Sequence, residues 1–240
     1  MRLTLLETRS KCYEGHLNFD LPASLQLVTH QWEVYQALND PNIAVVFDTA
    51  MTGDGKTLAA NLPMLRPQQR WNGVFIYPTN ELIRDQHRQV SEYQRLFGTE
   101  LETQLVNAAE IARLTAELES GKPDALRYIF QGRPPLLLTN PDIFNLILNF
   151  AYTAKHENPS SMAERFINRY RYFVFDEFHT FDTPQVNAIL EAMLFIKASL
   201  GSNFRPKYLF LSATPSELVQ AKLDAAGFKS SLITGRYKHG

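Results

Sequence analysis

The sequence predicts an α/β fold, a mostly parallel sheet with helices on both faces. Three observations predict it. Short β-branched or aromatic runs alternate with longer stretches of helical period along the chain. The short runs are apolar almost without interruption, as strands are when both of their faces are buried. Each run leads into a helix-start signal, and strands that take turns with helices build a parallel sheet with crossover connections.

The runs, in order, are Ile43 to Phe47, Gly73 to Tyr77, Leu136 to Thr139, Tyr172 to Phe175 and Lys207 to Leu211. After the third comes Asn140-Pro141, a cap residue followed by Pro at the first helical position. Thr183-Pro184 repeats that arrangement after the fourth. Thr214-Pro215-Ser216-Glu217 reads as a capping box after the fifth, with Glu three residues beyond Thr. The stretch Ala151 to Ser161 is polar and reads as a surface loop, and Gly235 to Gly240 reads as linker. In a sheet of this kind ligands sit beyond the carboxyl ends of the strands.

Composition narrows the class. The chain has 240 residues, 45% of them apolar, and 24 basic against 25 acidic residues give a net charge of −1. This is a globular composition, not that of a disordered chain or a basic tail. A neutral domain still accommodates a local basic stripe for nucleic acid. Cys12 is the single cysteine, so an internal disulfide and a cysteine-based zinc cluster are excluded. The sequence has no apolar run of membrane-spanning length and no signal-peptide pattern at its N-terminus, which makes a cytoplasmic protein with no membrane partner the expectation.

Ala50-Met51-Thr52-Gly53-Asp54-Gly55-Lys56-Thr57 follows the first strand and opens a helix. It fits the phosphate-binding pattern with Ala in place of the first Gly. Gly53 and Gly55 let backbone N–H groups approach phosphates because no Cβ intrudes. The helix N-terminus adds partial positive charge. Lys56 is expected on the β- and γ-phosphates of ATP and Thr57 on Mg²⁺. Asp54 brings a carboxylate close to those phosphates; it is expected to point outward or to approach Mg²⁺ through water.

The strand Tyr172-Phe173-Val174-Phe175 runs into Asp176-Glu177-Phe178-His179. Carboxylates at the end of a buried strand are costly without partners, and a bound cation supplies one. Asp176 is expected to hold Mg²⁺ through its water shell. Glu177 is expected to orient the water that attacks the γ-phosphate, and His179 to sit near that phosphate.

Together these strings resemble the superfamily 2 helicases of the DExH type. Gly53 to Thr57 resembles motif I, Asp176 to His179 motif II, and Ser212-Ala213-Thr214 motif III. Pro78-Thr79-Asn80-Glu81-Leu82 is similar to motif Ia, with Asn80 where a basic residue is usual, and Thr139-Asn140-Pro141-Asp142 stands at motif Ib. The order matches the family's across most of the chain. The resemblance implies a RecA-like P-loop NTPase domain over residues 25–226, with 1–24 an N-terminal extension and 227–240 a linker toward a second RecA-like domain. It implies an ATP-dependent helicase whose Pro78, Thr79, Asn80, Thr139 and Asn140 contact one strand of nucleic acid, single-stranded DNA above all. Ser212, Ala213 and Thr214 would couple ATP state to strand binding. Gln31 is the candidate adenine-reading glutamine and Gln36 its competitor. Without the second domain's arginines, the resemblance implies slow hydrolysis.

A narrower resemblance lies in Asp176-Glu177-Phe178-His179-Thr180-Phe181-Asp182, which is similar to motif II of CRISPR-associated helicases, motors recruited to type I surveillance complexes in antiviral defence. No HD nuclease domain precedes the phosphate loop, which is similar to the stand-alone helicase of subtype I-D systems, where a separate large subunit carries the nuclease. The rival readings are a restriction- or repair-type translocase with the same site, and a docking module whose ATP site is vestigial.

Other signals carry two readings each. Arg165, Arg169 and Arg171 alternate with Phe166, Tyr170 and Tyr172, either as a surface for single strands or as a helix end leading into a buried strand. Arg84, His87 and Arg88 fit backbone phosphate or a solvated helix face. Trp32 and Tyr35 fit adenine stacking or helix packing. His16, His30, His156 and His239 show no metal-ligand spacing.

Overall fold

A computed structural model of the protein describes residues 8–66, 71–148, 160–200, 205–214 and 216–239. Its strands are β1 (Thr8–Ser10), β2 (Val45–Asp48), β3 (Gly73–Ile76), β4 (Thr103–Val106), β5 (Leu136–Thr139), β6 (Tyr172–Phe175), β7 (Lys207–Leu211), β8 (Ser230–Ile233) and β9 (Tyr237–His239). Its helices are α1 (Thr29–Asn39), α2 (Lys56–Leu65), α3 (Asn80–Phe97), α4 (Ala108–Glu117), α5 (Lys122–Gly132), α6 (Pro141–Leu148), α7 (Ser160–Arg169), α8 (Thr183–Leu200) and α9 (Glu217–Ala225). Seven strands form one sheet in the order β4-β5-β3-β6-β7-β2-β8, and every pairing in it is parallel.

The apolar runs behave as doubly buried strands. Alternate residues go to opposite faces, and both sets are covered. Val45, Phe47, Val74, Ile76, Phe173, Phe175 and Phe210 meet α4 to α9 on one face. Val46, Phe75, Leu138, Tyr172, Val174 and Leu209 meet α1, α2 and α3 on the other. Residues ahead of α1 add a smaller cluster, with Leu17, Phe19 and Leu21 packed against Trp32, Tyr35 and Leu62. Trp32 and Tyr35 therefore serve packing, with ring centroids 5.5 Å apart.

Several local expectations shift. The first strand begins two residues later than its apolar run and ends on Asp48, because β7 and β8 pair with it through that residue. Asn140 does cap α6, its Oδ1 accepting from the N–H of Ile143 at 2.9 Å. The cap of α8 is Asp182 and not Thr183: Asp182 accepts from the N–H of Gln185 at 2.8 Å, and Gln185 returns the bond at 3.3 Å. Helix α9 starts at Glu217, directly after the cap position Ser216 rather than after Thr214, and Pro215 lies outside the described residues. The polar stretch at 151–161 also lies outside them, save that Ser160 and Ser161 open α7. The described part of the expected linker 227–240, residues 227–239, places β8 at the edge of the main sheet and pairs β9 antiparallel with β1. That ribbon joins segments more than 220 residues apart, which no local pattern encodes.

Candidate active site

All five motif segments follow carboxyl ends of neighbouring parallel strands, so the sheet brings them to one rim. The phosphate loop turns between β2 and α2 on two left-handed glycines, Gly53 at φ 90° and Gly55 at φ 78°. A Cβ on Gly55 would stand 2.4 Å from Nε2 of Gln31, whereas one on Gly53 would meet open space. Gly55 is thus required twice, by its backbone and by its neighbour.

Lys56 opens α2 and is buried. Its ammonium donates to the carbonyls of Ala50 at 2.8 Å and Met51 at 3.1 Å, across the inside of the loop. Asp176, at the end of β6, is also buried, and its Oδ1 accepts from the N–H of Glu177 at 2.9 Å. Burial pushes its carboxyl up to about 6; the Glu177 N–H and the Lys56 charge pull it down, while the charges of Glu177 and Asp48 add to the rise. Glu177 takes the left-handed conformation, φ 49°, uncommon for a residue with a side chain. Thr52, Gly53, Gly55, Lys56, Thr57, Asp176 and Glu177 line a single cavity of about 240 Å³.

Other expected residues distribute as follows. His179 stands on the turn Phe178–Thr180, exposed, with Nδ1 3.4 Å from Glu177 Oε2, and does not line that cavity. Gln31 is buried; its Oε1 accepts from the N–H of Val28 at 2.9 Å, and its Nε2 donates to the Gly55 carbonyl at 3.0 Å. Its amide braces the loop in this conformation. Gln36 is exposed and borders a different hollow with Ser231 and Ile233. Asp54 does not point into open solvent: its carboxylate accepts from Ser10 and from Tyr237.

Motifs Ia and Ib meet. Thr79 caps α3, accepting from the N–H of Leu82 at 3.2 Å, and Asn140 Nδ2 donates to Asn80 Oδ1 at 3.3 Å. Pro78, half-buried, and Thr79, exposed, share that rim. Thr139 departs from expectation: it is buried, and its hydroxyl donates to the Val106 carbonyl at 2.6 Å, tying β5 to β4 instead of facing a ligand. In motif III, Ser212 is buried, its hydroxyl donates to the Thr214 carbonyl at 2.7 Å, and its N–H donates to the Asp48 carbonyl at 3.1 Å. Ala213 and Thr214 are exposed beside it.

The basic-aromatic alternation near α7 resolves as a helix end. Phe166, Tyr170 and Tyr172 are core residues, and Arg171 donates to the Ile167 and Asn168 carbonyls at the end of α7. Arg84 and Arg88 are exposed on α3, the latter paired with Asp85.

Sequence reasoning missed a buried pair behind the loop. His30 Nδ1 lies 3.1 Å from Asp48 Oδ2, and its Nε2 lies 3.0 Å from the Asp54 carbonyl. A carbonyl cannot donate, so Nε2 donates to it, and the other ring nitrogen faces the Asp48 carboxylate. Burial pulls the imidazole down, but the hydrogen bond and charge of Asp48 outweigh it and leave it raised above 6.5. The signal for Asp48 was an apolar run ending in an acid, as at Asp176. Gln86 and Gln89 were missed too; with Leu82 of motif Ia they line the same cavity from α3 at helical spacing.

A family model described as DEAD/DEAH box helicase matches residues 29–221. No curated protein matches. Among solved structures, the DUF1998 helicase MrfA bound to DNA is 17% identical, with TM-score 0.64, over 96% of this chain and 32% of that one. The Mycobacterium smegmatis helicase Lhr bound to single-stranded DNA and AMP-PNP is 20% identical, with TM-score 0.59, over 85% of this chain and 25% of that one. A DEAD box protein from the hyperthermophile Methanococcus jannaschii is 14% identical, with TM-score 0.63, over 95% of this chain and 57% of that one. These likenesses show the RecA-like fold of a helicase domain. The chain spans about a third of the length of the MrfA structure and about half that of the Methanococcus jannaschii one.

Proposed function

The chain belongs to the DEAD/DEAH box helicase family, and from that premise we propose that it is the ATP-binding first motor domain of a helicase or translocase acting on nucleic acid, single-stranded DNA above all. One observation carries the reading: Lys56 and Thr57 from one strand end, and Asp176 and Glu177 from another, line one cavity. Left-handed Gly53 and Gly55, the N-terminus of α2 and the Lys56 ammonium suit a triphosphate. The Thr57 hydroxyl and the buried Asp176 carboxylate suit Mg²⁺, a cation that takes oxygen ligands. When bound, the cation would neutralise charge on the phosphate oxygens of the nucleotide. Lys56 leaves the Ala50 and Met51 carbonyls for phosphate oxygens, and Glu177 orients the attacking water. Arginines from a second RecA-like domain complete the site and set its rate, so the chain alone turns over slowly. Thr79, Asn80 and Asn140 present the polar rim to the strand backbone.

The test is Mg²⁺-dependent binding of a fluorescent ATP analogue, with Lys56→Ala as control. Saturable binding by the parent and its loss in the variant are expected; equal binding by both removes Lys56 from the site. The narrower assignment, the DNA-unwinding motor of a CRISPR type I system docked on a surveillance complex with a separate nuclease subunit, rests on the string Asp176 to Asp182. A CRISPR array beside the gene supports it, and a restriction or repair operon there replaces it with a translocase of that kind.

A further inference from the structure

Asp54 puts a negative charge between the two glycines of a loop built for phosphates, and a carboxylate free to swing there opposes a triphosphate. The structure shows what occupies it. Ser10 Oγ donates to Oδ1. Tyr237 Oη donates to Oδ2 at 2.7 Å, and the N–H of Met51 reaches both Oδ2, at 3.1 Å, and Tyr237 Oη, at 2.8 Å. Ser10 and Tyr237 are register partners in the β1–β9 ribbon. The backbone of the same residue is held from the other side, its carbonyl accepting from His30 at 3.0 Å and from Gln31 at 3.4 Å.

The ribbon is itself fixed. The N–H of Lys11 donates to the Arg236 carbonyl at 2.7 Å, and the Arg236 guanidinium pairs with Glu33 of α1 at 2.6 Å. The N–H of Thr49 donates to the Ile233 carbonyl at 2.9 Å, just ahead of the ribbon's second strand. The Tyr237 ring folds over Gly235, where a Cβ would stand 2.0 Å from the phenol oxygen. Asp54 is absent from the lining of the cavity shared by Lys56, Thr57, Asp176 and Glu177, and so are Ser10 and Tyr237.

Resting on the nucleotide reading of this loop, we propose that Ser10 and Tyr237 are positioning residues for nucleotide binding, which act through Asp54 by turning its charge away from the phosphate cradle and fixing the Gly53–Gly55 turn. The two hydroxyls and the Met51 N–H supply the carboxylate with donors, so it makes no hydrogen bond to the N–H groups of Gly53, Gly55 and Lys56 on the phosphate side of the loop. Burial first, and Asp54 second, raise the phenol above its ordinary value, which keeps it a donor. Occupancy of the phosphate loop and order of the ribbon are then linked, each favouring the other.

The test is a double-mutant cycle on the 240-residue chain, read by the Kd of a fluorescent Mg·ATP analogue and by Tm. Ser10→Ala with Tyr237→Phe is expected to weaken binding about ten-fold, the usual scale for lost bonds to a charged group. Adding Asp54→Asn removes the charge and is expected to recover most of that loss, while Tm stays where the first two substitutions left it. Gly235→Ala, which keeps the phenol but displaces it, is expected to reproduce the effect of Tyr237→Phe. Unchanged affinity after the first pair overturns the proposal. So does a loss of affinity that Asp54→Asn deepens or leaves alone, which would mark the ribbon as support for the fold only. A parent chain that binds no analogue at all overturns the nucleotide reading, and this inference with it.

Discussion

The ammonium of Lys56 lies 2.8 Å from the carbonyl oxygen of Ala50, so the residue assigned to phosphate is held across the inside of its own loop. Phosphate oxygens bound there would compete with the Ala50 and Met51 carbonyls for that ammonium. In Lys56→Ala the ligand loses its cation, and ligand-induced stabilisation should vanish. With the ligand about 100-fold above its Kd, binding adds about 2.7 kcal/mol, or roughly 5–10 °C in Tm for a domain of this size. A thermal scan of parent and variant with and without Mg·ATP analogue should show that rise in the parent alone.

Glu177→Gln should retain nucleotide binding and lose turnover in the complete protein. The side chain lines the cavity beside Asp176, and its amide replacement keeps shape while losing the charge that orients water. A loss of about 10²-fold or more in steady-state hydrolysis is expected, the scale for a positioned acid–base group. Unchanged hydrolysis removes Glu177 from that role.

Affinity for Mg·ATP should fall as pH drops through about 6. Burial raises the Asp176 carboxyl to that value, so the free site holds a neutral acid below it and a carboxylate above it. Only the carboxylate attracts the cation. Titrations between about pH 5 and 8 should show tighter binding on the alkaline side, and Asp176→Asn should flatten the profile.

His30→Ala should cost about 3 kcal/mol of stability, because it strands Asp48 as a buried charge without its partner. The imidazole is raised above 6.5 in the fold. Its stabilising proton is fully present below the unfolded value and is lost as pH rises through the folded one. The gap in unfolding free energy between parent and variant should therefore shrink toward alkaline pH. Denaturant unfolding at several pH values checks the slope.

The two loop glycines should respond differently to alanine. Gly53→Ala meets open space and should cost only the left-handed backbone penalty, about 1–2 kcal/mol. Gly55→Ala pays the same penalty and also drives a methyl to within 2.4 Å of Gln31, so it should cost more and disturb the loop. Chemical denaturation of both variants ranks them; the reverse order contradicts the packing described.

The central strands were legible because they are buried on both faces and their residues say so: Leu136 to Thr139, Tyr172 to Phe175 and Lys207 to Leu211 appear with their expected bounds. Thr103–Val106 and Ser230–Ile233 were not legible, because edge strands have one neighbour and carry polar residues such as Gln104 and Ser231. The cavity residues Lys56, Thr57, Asp176 and Glu177 were found because their chemistry demands fixed spacings within each motif. The burial of Thr139 was hidden, since a threonine at a strand end reads the same whether its hydroxyl faces solvent or a neighbouring carbonyl. The partners of Asp54 were hidden for a different reason: Ser10 and Tyr237 reach it only through pairing of distant segments.

The contact between Asn80 and Asn140 joins two loops that rise from neighbouring strands. Adjacent strands stand about 4.8 Å apart, so the joined amides span that gap like a rung. A bond of this kind contributes about 1 kcal/mol, so a displacement of one loop along the rim is resisted in part by the other.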